Sequence, residues 1–132
     1  MFYNPFSVEK NIHLDGKKFN KRVLMENGDS SLNLVAIEKE GIIDTHTSKE
    51  DAAVFVLDGE IELHFDAQKY TVKKGEMLMF KKDTQHKVLG IKNSKFILIK
   101  ILSCIWILKS HNCFIINDGS TRAQPFRLRL FF

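Results

Sequence analysis

Residues 52–65 read Ala-Ala-Val-Phe-Val-Leu-Asp-Gly-Glu-Ile-Glu-Leu-His-Phe, and they decide the fold class. Residues 52–57 form an unbroken apolar run. Residues 60–65 alternate. Short runs of this kind, bounded by turn residues, are strands. Asp58-Gly59 between them accommodates the positive φ angles of a two-residue type I′ turn, so a tight hairpin is expected. In the second strand Ile61, Leu63 and Phe65 share one face, and Glu60, Glu62 and His64 share the other. A period of two sends the first face to the core and the second to water.

Working outward, the same alternation predicts strands over 20–26, 31–39, 42–48, 69–73, 76–80, 86–91 and 95–103. No helical period is sustained; a single turn is expected near residues 5–10. The reading is all-β, with about nine or ten short antiparallel strands in one domain. Residues 1–19 form a lead-in, 20–103 the barrel and 104–132 a C-terminal extension.

The net charge of +4 is unevenly placed. Residues 104–132 hold Lys109, Arg122, Arg127 and Arg129 against Asp118, a net of +3, which leaves +1 for residues 1–103. The body is almost neutral. It lacks a basic stripe interleaved with aromatics and a recognition-helix pattern, so no nucleic acid partner is expected. Residues 96–108, the longest apolar stretch, contain Lys100 and fall short of the roughly 20 residues of a membrane-spanning helix, so no membrane partner is expected either. Both cysteines, Cys104 and Cys113, lie in the extension. A body without cysteine and a start without a secretory pattern fit a reducing, cytoplasmic compartment. Three readings of the extension compete: added strands, a dimer contact, or a stretch foreign to the natural protein.

His46 and His86 are the candidate chemical residues. The pieces around them occur in a telling order: His46-Thr47-Ser48, residues 52–57 ending in Asp58-Gly59-Glu60, Gly75-Glu76-Met77-Leu78-Met79-Phe80, and His86. This order resembles the cupin superfamily, whose motifs are G-x5-H-x-H-x3–4-E-x6-G and G-x5-P-x-G-x2-H-x3-N. The resemblance covers roughly residues 20–103. It implies an RmlC-like jelly-roll barrel (a double-stranded β-helix), commonly dimeric, with a metal site of three His and one Glu. Here Ser48 stands at the second His position and Ala52 at the Glu position. Lys81, Asp83 and Gly90 replace the Pro, Gly and Asn of the second motif. Of four ligands, only His46 and His86 match.

Positions 44, 46 and 48 share a side along a strand, so Asp44 is expected to complete a two-His, one-carboxylate set for Fe, Mn, Ni or Zn. Ser48, Ala52, Val54, Met77 and Met79 are the expected pocket lining. The alternative is a pair of imidazoles satisfied by hydrogen bonds without metal. Two functions follow: a small-molecule-binding cupin with a depleted site, or a metal-dependent oxygenase or isomerase on a small polar substrate. A metal-free acid–base pair on the same two histidines is a third. Homodimer formation is expected, because open sheet edges need cover. His64 is read as solvent-facing, and His13 and His111 have no constellation around them. Lys73-Lys74 and Lys81-Lys82 are read as solvated turns.

Overall fold

The computed structural model describes residues 2–102. The expectations for residues 104–132 lie outside the described residues. The chain divides into two units, Met1–Leu102 and Ser103–Phe132.

The first unit holds a short 3-10 turn, Glu9–Asn11, and nine strands: β1 (Phe19–Asn27), β2 (Ser30–Ile37), β3 (Ile42–Thr47), β4 (Asp51–Asp58), β5 (Glu60–Phe65), β6 (Lys69–Lys73), β7 (Met77–Phe80), β8 (Gln85–Gly90) and β9 (Ser94–Ile101). Each strand lies within about two residues of its expected bounds. Hydrophobic alternation therefore carried the element assignment.

The strands form two sheets, ordered β1-β2-β9-β4-β7 and β3-β8-β5-β6. Every pairing is antiparallel. Only β1–β2 and β5–β6 pair with their sequence neighbours; the other connections cross between sheets. This is jelly-roll wiring, in which two sheets enclose one core.

The expected hairpin at Asp58-Gly59 is therefore corrected. β4 pairs with β7 and β9, whereas β5 pairs with β6 and β8. A type I′ turn needs two left-handed residues. Here only Gly59 has positive φ, at 88°. One left-handed residue turns a corner and sends the chain to the facing sheet. A Cβ on Gly59 would run into the Ser94 side chain and the Asn93 carbonyl. The Ser94 hydroxyl accepts the Glu60 N–H at 2.8 Å, which completes the corner.

Between the sheets lie Val35, Ile37, Val54, Val56, Ile61, Leu63, Val72, Val88 and Phe96, all buried. A second apolar cluster involves the other parity of β2, where Leu34 and Ala36 pack with Ile12 of the lead-in, and Val8, Leu14, Leu24, Leu57 and Ile97 surround them. The lead-in is thus part of the packed unit. Lys95 Nζ donates to the Glu9 carbonyl at 2.6 Å, and Arg22 donates to Asn11 at 3.1 Å, fixing it in place.

Candidate functional site

Strand β3 carries the decisive irregularity. Ile43 pairs with Val88 and His46 pairs with His86, so three steps on β3 match two on β8. This is a β-bulge at Asp44 and Thr45, which shifts side-chain parity by one. Ile43 packs on the core, and His46 lies opposite His86, which is only 4% exposed. The two rings meet edge-on, with centroids 4.2 Å apart and planes at 61°. Phe80 lies 4.7 Å from the His86 ring and backs it on an aromatic wall that includes Phe65.

Both imidazoles are held in one tautomer. His46 Nδ1–H donates to the Asp44 carbonyl at 2.7 Å, and His86 Nδ1–H donates to the Thr84 carbonyl at 2.9 Å. A carbonyl only accepts, so each neutral ring keeps its lone pair on Nε2. Burial lowers the His86 pKa from its ordinary value; the Thr84 hydrogen bond opposes this, and His46 and Lys100 add to the lowering. The inner imidazole is therefore neutral at neutral pH, as a base or hydrogen-bond acceptor must be.

The histidines line a cavity of about 430 Å³. Val35, Val54, Leu63, Phe80, Val88, Phe96 and Leu98 give it apolar walls; Phe19, Lys21, Ile43, Asp44, Thr45 and Lys100 complete it. Among the expected lining residues, Val54 reaches this cavity. Ala52 and Met79 border a separate open groove instead. Met77 and Met79 are 51% and 74% exposed, while Leu78 and Phe80 pack against the core, so the interior parity of β7 is the opposite of the one expected for lining. Ser48 is buried in a local turn, donating to the Glu50 carboxylate at 3.0 Å and accepting the Glu50 N–H at 3.2 Å. His64 is partly shielded and paired with Glu62 at 2.9 Å.

Asp44 lines the same cavity as the two histidines, beside the bulge. Asp44 offers its main-chain carbonyl to His46. No group of three or more His, Cys, Asp or Glu is arranged to hold a metal ion among the described residues. Two imidazoles beside a lysine do not fit a metal centre of three or four protein ligands.

The sequence matches the family model described as the cupin domain over residues 33–101, just over half of the chain. The chain belongs to the cupin family. Its barrel is similar to a conserved protein of unknown function from Streptococcus pyogenes, at 18% identity and a TM-score of 0.72, covering 78% of this chain and 90% of that one. It is similar to a cupin superfamily protein from Desulfitobacterium hafniense, at 18% identity and a TM-score of 0.71, covering 76% and 93%. A cupin 2 conserved barrel domain protein from Leptotrichia buccalis is 28% identical, with a TM-score of 0.64, covering 72% of this chain and 46% of that one. No curated protein matches the sequence. No helix among the described residues is long and apolar enough to cross a membrane.

Besides Asp44, the charged cavity residues are Lys21 and Lys100, and sequence reasoning missed both. The signal for Lys100 was present: it interrupts an apolar strand and shares parity with Phe96 and Leu98. Lys21 lies opposite Val35 in the β1–β2 ladder, and a directly opposed residue shares its partner's face.

Proposed function

We propose that this cupin is a small-molecule-binding barrel whose site is built on His46 and His86 and needs no closed metal centre. One observation carries the reading. An apolar cavity ends on two imidazoles whose Nδ1–H groups are already bound to main-chain carbonyls, leaving two Nε2 acceptors for a ligand. Concave apolar walls with a few convergent polar atoms are the usual makings of a ligand site. The cavity is large enough for a small metabolite.

A second reading is a metal-dependent oxygenase or isomerase. The fixed tautomers favour it, because a ligating histidine normally has its other ring nitrogen hydrogen-bonded. The short donor set disfavours it.

Trace-metal analysis of protein purified without chelator, joined to calorimetric ligand titration, separates the two. Substoichiometric metal, with small-molecule binding lost in His86→Leu, is the expected result. One metal per chain, absent from His86→Leu, would replace this reading with the metal-dependent one.

A further inference from the structure

Lys21 and Lys100 line the cavity, and neither is within ion-pair distance of a carboxylate among the described residues. Phe96, Leu98 and Lys100 follow one parity of β9, and the first two pack in the core between the sheets. The other parity holds Ile97 of the second cluster and Lys95, whose ammonium is bound to the lead-in. Lys100 therefore points inward. Lys21 shares the inward side with Val35 and lines the same cavity. Among the described residues the one contact at ion-pair distance is the hydrogen bond between His64 and Glu62, so neither ammonium has a carboxylate partner there.

Lys100 is half-buried beside Phe96 and Leu98, where charge is costly unless something balances it, whereas Lys21 is an exposed cation. Exposed Asp44 is the one acidic residue among the lining residues. At the same site, His86 is 4% exposed, and its Nε2 receives no hydrogen bond from the described residues. The cavity thus presents two cations against one carboxylate, two imidazole acceptors and apolar walls. A matching ligand carries an anion for the lysines, hydroxyl donors for the imidazoles and a hydrocarbon part for Phe80 and Leu98.

We infer that the ligand is a small aliphatic hydroxy carboxylate, its carboxylate on Lys100 with support from Lys21 and its hydroxyl donating to the Nε2 atoms of His46 and His86. This rests on the small-molecule reading above and adds the chemical class. Charge-assisted contacts on the carboxylate supply most of the discrimination, and the hydroxyl selects against plain fatty acids.

The test titrates the full chain by calorimetry and ligand-observed NMR with 2-hydroxyhexanoate, 3-hydroxyhexanoate, their primary amides, hexanoate and hexane-1,2-diol. The hydroxy acids should bind, with the amides roughly tenfold weaker and hexanoate several-fold weaker. Lys100→Met should weaken the hydroxy acids by roughly tenfold and leave the diol unchanged, and Lys21→Met should have the smaller effect. Thermal unfolding checks that each variant folds; Lys100→Gln substitutes if Lys100→Met does not. Amides binding as tightly as the acids, or Lys100→Met binding like the parent, overturns the anion assignment and leaves the binding reading standing. Binding of no probe, charged or neutral, overturns both.

Discussion

The corner at Gly59 and the region around His46 and His86 are built on opposite principles. At the corner the Glu60 N–H and carbonyl and the Ser94 hydroxyl all find partners within the chain. Ser94 Oγ accepts the Glu60 N–H and has the Glu60 and Lys92 carbonyls within reach of its single proton, and Gly59 leaves no room for a side chain. Near the histidines the chain leaves groups open: two Nε2 acceptors and two ammoniums line an apolar cavity. A small β-sandwich holds its shape by closing one region completely, and that lets it keep another in an unsatisfied state. Damage at the corner should appear as lost stability, and damage near the histidines as lost binding.

The largest effect tests the corner. Gly59→Val combines a strained positive φ with a clash against the Asn93 and Ser94 backbone, and should cost about 4 kcal/mol, read by urea denaturation. A loss under about 1 kcal/mol would show the corner to be pliant. Ser94→Ala should cost about 2 kcal/mol, because the Glu60 N–H loses its acceptor.

The next effect sharpens the other side. His86→Leu should abolish ligand binding, yet cost only about 1 kcal/mol, since one bond to the Thr84 carbonyl is lost and the apolar wall is kept. The same variant isolates a pH effect. The folded pKa of His86 lies below its unfolded value. As pH falls below the ordinary imidazole value of about 6.5, the unfolded chain takes up the proton first. This contribution to stability is full above that value and is lost as pH falls toward the folded pKa. Denaturation midpoints between pH 7.5 and 5 should fall more steeply in the parent than in His86→Leu.

The smallest effect concerns parity. Met79→Lys should change stability by less than about 0.5 kcal/mol, because the side chain is 74% exposed. Loss of the folded state in that variant would restore Met79 to the interior.

The strands were legible because alternation is a local property, written residue by residue. What the strands pair with is not local. Asp58-Gly59 carries the same letters in a hairpin and in a corner, and only the partners β7 and β9 decide between them. The bulge was hidden for a related reason. Nothing in Asp44-Thr45 marks an extra residue, so counting along the strand could not show that Ile43 and His46 share the inward side. On β7 the run Met-Leu-Met-Phe is apolar at every position, so its pattern cannot say which side is inside; packing selects Leu78 and Phe80. One departure from the cupin motif has a simple account: Asp83, at a motif glycine, adopts φ 62°, a left-handed conformation that Asp tolerates better than most residues.

The lead-in has a consequence for what counts as a unit. The recognisable cupin segment spans residues 33–101, yet Ile12, only 3% exposed, closes an apolar cluster that this segment alone would leave wet. A fragment cut at the family boundary would keep the signature and lose both the lead-in and β1. Heredity and autonomy are drawn along different borders in this molecule, and the border that matters to folding is the wider one.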